Sequence, residues 1–241
     1  MGIIGIHVFR PTVAVVLILL TSCNYTSSVV TPQTSQPMSD TPITEPINYL
    51  ALGDSTGVGV GARNGGYVAR LFKRIVAARP DSKLTNLCVS GATTDDVLRY
   101  QLEQGLATKP NLITLGIGIN DIGHGVSIED FAKNFEALVS RLKNETHARI
   151  VVSNLPDISS APRVPEFARG QYQQMIAAFN QRLEAIAARY DVTVFDVQKI
   201  THEQLPAHPE FFSSDGFHPS DAGYELWADE MWPVMKRTIG L

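Results

Sequence analysis

The chain has 241 residues, 44% of them hydrophobic, with 20 Lys and Arg against 24 Asp and Glu. That is enough apolar material for one full-sized core, or at most two small ones. The balance is mildly acidic, with no basic block and no interleaving of aromatic and basic residues, which excludes an electrostatic case for nucleic acid.

The first stretch, MGIIGIHVFRPTVAVVLILLTSC, carries one cation, Arg10, before an apolar run from Val13 to Leu20. That run is well short of the roughly 20 residues that span a bilayer. A charged start, an apolar centre and small residues at the end describe a secretory signal over residues 1–22. Its end, Leu20-Thr21-Ser22-Cys23, resembles the lipobox of bacterial lipoproteins. The resemblance implies cleavage before Cys23, lipidation of Cys23, and an exported protein held to a membrane by its acyl chains. More than one chain is expected, because each buried CH₂ contributes only about 0.8 kcal/mol. With Cys23 modified, Cys88 has no disulfide partner; it sits in a strand-like run, LTNLCVSG, and reads as a small core residue. Residues 23–46 follow as a tether. Thirteen of the 23 residues from 24 to 46 are Ser, Thr or Pro, too polar to offset their ordering entropy, so disorder is expected there.

From residue 47 to 241 one domain is expected. Apolar runs at 47–53, 83–89, 111–117, 148–155 and 192–197 are continuous rather than alternating, as in strands covered on both faces. Between and after them, 66–79, 93–105, 127–144, 168–190 and 221–238 repeat apolar residues at helical spacing. Ser127-Ile128-Glu129-Asp130 looks like a capping box. Met175, Ile176, Phe179, Leu183 and Ile186 form a core-facing stripe, and Trp227 and Trp232 are expected to pack. Alternating strand and helix predicts a parallel sheet with helices on both faces, an α/β fold whose ligands bind beyond the carboxyl ends of the strands.

Those ends carry the chemistry. Gly53-Asp54-Ser55 follows the first strand, Ser90-Gly91-Ala92 the second, and Asn120-Asp121 the third; Asp215 and His218 precede the last helix. A serine hydroxyl needs a base within hydrogen-bond reach, and His218 can serve. Asp215 is close enough in sequence to orient the imidazole and stabilise its cation. Backbone N–H groups of Ser55 and Gly91, with the Asn120 amide, would supply three donors to an oxyanion. Asp54 and Asp121 are expected to bond local backbone instead. His124 is a candidate for the pocket wall. His208 is the rival base near His218, without an aspartate at matching spacing, and the remaining histidines show no metal-site spacing.

"GDS", a lone glycine, "GxND" and "DxxH" in this order resemble the SGNH, or GDSL-type, hydrolases over residues 47–241. The resemblance implies a flavodoxin-like three-layer α/β/α fold with about five parallel strands. It gives Ser55, His218 and Asp215 the catalytic roles and Ser55, Gly91 and Asn120 the oxyanion hole, with no metal and no cofactor. It implies a serine esterase working through an acyl-enzyme. Its substrates would be small-molecule or lipid esters, favouring short or single acyl chains such as lysophospholipids. Thr56 departs from the leucine in the family's name motif, which bears on packing and pocket shape.

Three other readings compete. Gly57-Val58-Gly59-Val60-Gly61-Ala62 fits a dinucleotide loop, but the second strand ends without the acid such a site wants, and no Walker lysine is present. An acyltransferase or polysaccharide deacetylase could use the same residues, and a binding lipoprotein could keep the pocket without chemistry.

Overall fold

The structure, a computed structural model, describes residues 42–241. The signal segment, Cys23 and the tether up to residue 41 lie outside the described residues. Residues 42–46 lie against the domain: Ile43 packs on its core and accepts from the Arg79 guanidinium at 3.0 Å, and Pro46 accepts from Asn111.

In chain order the elements begin with β1 (Asn48–Gly53), α1 (Ser55–Val58), α2 (Tyr67–Ala78) and β2 (Lys83–Asn86). Next come α3 (Thr94–Asp96), a π-helical turn (Val97–Gln101), α4 (Leu102–Ala107), β3 (Leu112–Gly116), α5 (Ile119–Gly123) and α6 (Ile128–Glu145). The chain finishes with β4 (Arg149–Ser153), α7 (Arg169–Arg189), β5 (Thr193–Phe195), α8 (Val197–Gln204) and α9 (Asp221–Ile239).

The five strands are parallel, in the order β2-β1-β3-β4-β5. This is the expected flavodoxin-like order, and its switch point lies between β1 and β3. Successive strand residues enter opposite layers. Leu50 and Leu52 of β1 join one core with Phe131 and Phe135 of α6 and Leu183 of α7, whereas Tyr49 and Ala51 join the other with Leu71 of α2 and Met231 of α9. The interiors of β1 and β3 are therefore almost wholly apolar because both faces are covered, the buried Thr114 being paired with the Tyr49 hydroxyl. Among the described residues no helix is long and apolar enough to cross a membrane.

Local chemistry moved several expected boundaries. β2 stops at Asn86 rather than 89 and is an edge strand, exposed at both ends. The Asn86 side chain turns the chain there, accepting from the Cys88 N–H at 3.1 Å and donating to the Gly57 carbonyl at 2.9 Å. β5 stops at Phe195 because Asp196 caps the unforeseen α8, accepting from the Lys199 N–H. Ser127 caps α6 through the Asp130 N–H, but the Asp130 carboxylate takes the Ser127 hydroxyl instead of a backbone donor. The full reciprocal box lies at Thr93 and Asp96.

Candidate active site

Gly53 ends β1 with φ +148°, and a Cβ there would meet the Gly116 carbonyl oxygen at 2.2 Å. Only glycine fits this close approach, which lets the chain turn sharply out of the sheet. Asp54 then caps α1, its Oδ1 accepting from the Thr56 N–H at 2.9 Å and the Thr56 hydroxyl at 2.8 Å. A leucine at 56 could not supply the second bond. As the first residue of a helix, Ser55 has no intrahelical acceptor for its N–H. Beyond it, Gly57 lies over Cys88, so that an added Cβ would sit 2.3 Å from Sγ. Cys88 packs against the core as expected, and burial pushes its thiol well above the ordinary range.

Ser55 is 4% exposed, and its Oγ lies 3.0 Å from His218 Nε2. His218 Nδ1 lies 2.6 Å from Asp215 Oδ2. The other Asp215 oxygen accepts from the Ser213 hydroxyl and from the N–H groups of Phe217 and His218, at 2.8–2.9 Å. The loop is thus wrapped around its carboxylate. Burial raises the Asp215 affinity for a proton, but the His218 side chain and these donors outweigh it and hold the group below the usual carboxylate range. Asp215 stays ionised and anchors the imidazole. The loop is tied to the start of the domain by Asp221, whose carboxylate accepts from the N–H groups of Arg63 and Asn64 and from Arg70.

The second and third strand ends meet beside this chain of bonds. Val89 N–H donates to the Gly53 carbonyl at 3.1 Å, and Asn120 Nδ2 donates to the Ala92 carbonyl at 2.9 Å. Gly91, at φ +82°, lies between them with open space where a Cβ would point. Neither its N–H nor that of Ser55 donates to a protein acceptor among the described residues. Asp121 is buried and does bond backbone, but not locally: it accepts from the N–H and hydroxyl of Thr94, locking the Gly91 segment to the start of α5. The buried Asp54 is perturbed in the opposite direction to Asp215. Burial pushes it up to about 6, against the opposing bonds from Thr56 and the nearby His218.

The other candidates lie apart. His124 is exposed at the end of α5, and His208 pairs with Glu210 on the surface. His202 bonds Asp157, which is buried. Among the described residues no three His, Cys, Asp or Glu side chains group as metal ligands would.

A cleft open to solvent begins at Ser55 and His218. Its wall is apolar, with Ile158, Leu205, Phe212, Phe217 and Trp227 contributing. Trp227 is held by stacking on Tyr67 at 5.1 Å. A second opening on the far side of Gly91 is lined by Ser90, Asp96, Tyr100 and Gln101. The short segment between α8 and α9 that supplies Phe211 and Phe212 had no legible periodicity.

Comparison with known proteins agrees with this fold. The model of the GDSL-like lipase/acylhydrolase family matches residues 51–226. Esterase TesA of Pseudomonas aeruginosa is 24% identical over 188 residues, covering 78% of this chain and 87% of its own. Spore germination lipase LipC of Bacillus licheniformis is 26% identical over 211 residues, covering 77% and 94%. Among solved structures, the acetylxylan esterase Axe2 of Geobacillus stearothermophilus superimposes with a TM-score of 0.64 at 21% identity, over 83% of this chain and 97% of that one. At that identity the likeness speaks for the fold.

Proposed function

The chain belongs to the GDSL-like lipase/acylhydrolase family, and from that premise we propose that it is a carboxylic ester hydrolase with Ser55 as nucleophile, His218 as general base and Asp215 as the orienting carboxylate. The observation that carries this reading is the unbroken chain Ser55 Oγ–His218 Nε2–His218 Nδ1–Asp215 Oδ2, at 3.0 and 2.6 Å. Ser55 Oγ attacks the ester carbonyl as its proton passes to His218 Nε2. Asp215 holds Nδ1–H and stabilises the imidazolium. The oxyanion is received by the N–H groups of Ser55 and Gly91 and by the Asn120 amide, whose second N–H remains beside the one given to Ala92. His218 returns its proton to the leaving alcohol, and the acyl group stays on Ser55. Water, deprotonated by the same imidazole, then releases the acid and restores the serine.

The apolar wall supports short or single-chain acyl esters, lysophospholipids among them, as the substrate class. The Leu20–Cys23 sequence supports an exported protein anchored through lipids on Cys23. Hydrolysis of p-nitrophenyl esters of two to twelve carbons tests the reaction, with Ser55→Ala beside the wild type. Activity lost in the variant is expected, with a chain-length optimum that sizes the cleft. A folded wild type inactive at every length, or an active Ser55→Ala, overturns the assignment. For the anchor, Cys23→Ser should move the protein out of the membrane fraction, and mass spectrometry should find acyl chains on Cys23 of the wild type.

A further inference from the structure

Strand β1 loses a neighbour just before the serine turn. On one side Gly53 keeps its register with Gly116 of β3. On the other, β2 has ended at Asn86, opposite Ala51, and the chain departs toward Gly91. That segment still donates the Leu87 N–H to the Ala51 carbonyl and the Val89 N–H to the Gly53 carbonyl, but none of its carbonyls receives the Gly53 N–H. The Gly53 N–H would be a buried orphan, a donor cut off from water with nothing to receive it. A side chain fills the gap. Gln101 Oε1 accepts from the Gly53 N–H at 2.9 Å, and Gln101 Nε2 donates to the Gly53 carbonyl at 2.8 Å. A carboxamide carries the donor and acceptor of a peptide unit, so Gln101 acts as a one-residue continuation of the sheet.

The helix that delivers it departs from regular geometry at this point. Leu102 N–H bonds the Val97 carbonyl across the π turn, an arrangement frequent at functional sites. The extra residue lets Val97, Gln101 and Leu102 all face inward, at 0–2% exposure, while Tyr100 stays outside at 64%. Gln101 also lines the opening beside Gly91. One amide therefore pairs the end of the strand that leads into Ser55 while lining the same opening as Gly91, the second oxyanion donor.

We infer that Gln101 is a positioning residue for the reaction. By pairing both backbone groups of Gly53, it fixes the direction in which Ser55 leaves β1 relative to Gly91. The attacked carbonyl and the oxyanion donors are aligned through it. The inference rests on Ser55 being the nucleophile.

Gln101→Leu removes both bonds at similar bulk. With the protein folded, kcat on a p-nitrophenyl ester should fall about 10- to 100-fold with KM changed less than about twofold, because misplacement by an ångström costs on that order. Gln101→Glu gives a signature that a merely structural role would not. Its carboxylate accepts from the Gly53 N–H but repels the Gly53 carbonyl, and it donates only when protonated. The ratio of its kcat to that of wild type should rise as pH falls from 8 to 5. A crystal structure of the leucine variant should show Ser55 Oγ displaced from His218. Wild-type kcat in Gln101→Leu, a flat Gln101→Glu ratio, or an undisplaced Ser55 overturns the inference. If Gln101→Leu does not fold, the glutamate profile decides. If the wild type shows no Ser55-dependent hydrolysis, the nucleophile reading has failed, and the crystallographic position of Ser55 alone decides whether Gln101 positions it.

Discussion

Replacing Asp54 by asparagine isolates a titration that burial builds into the site. Asp54 is 3% exposed, and burial lifts its carboxyl from 3.8 to about 6. The folded protein keeps this proton up to about pH 6, whereas the unfolded chain gives it up near 3.8. Between those values folding takes up a proton, so stability falls as pH rises, and above pH 6 the whole loss is present. The gap corresponds to about 3 kcal/mol. Asparagine keeps an oxygen for the Thr56 N–H and hydroxyl but carries no charge. Whatever the constant effect of an NH₂ at that position, the difference between Asp54→Asn and wild type should move toward the variant by about 2 kcal/mol between pH 4 and 7.5. Urea unfolding of both proteins, followed by tryptophan fluorescence across that range, measures it. Groups not coupled to Asp54 titrate alike in the two proteins and cancel. A difference constant to within a few tenths of a kcal/mol would refute the reasoning, because Asp54 would then ionise as freely when folded as when unfolded.

Asp215→Asn should lower turnover about 10³- to 10⁴-fold by imposing the wrong imidazole tautomer, while unfolding curves stay close to wild type; unchanged turnover would remove Asp215 from the mechanism. Gly57→Ala forces a Cβ to 2.3 Å from Cys88 Sγ and 3.0 Å from its Cβ, an overpacking expected to destabilise by about 1–3 kcal/mol. Cys88→Gly should recover most of that loss in the double variant, and strictly additive unfolding energies would argue against the contact.

The sequence by itself determined the layers of this protein and the residue types at its centre. The runs at 47–53 and 111–117 could only be covered strands, and β1 and β3 lie within a residue of them, because continuous apolarity is a local signal of burial on both faces. Gly53-Asp54-Ser55 and Asp215-x-x-His218 were legible for a similar reason: each performs its work over three or four residues of chain. The end of β2 was not, because the Asn86 side chain overrides the apolar run that follows it. Asp121 was expected to serve its own turn and instead holds Thr94, 27 residues away in the chain. Asp221 clamps the loop at Arg63 and Asn64, and Gln101 completes β1 at Gly53. Such polar residues read locally as helix surface, since their partners are 27 to 158 residues distant and no periodicity encodes them. Apolar pattern chooses the layers through burial alone, but the alignment of a nucleophile with its donors depends on individual hydrogen bonds between remote segments. Those exist only once the layers have packed.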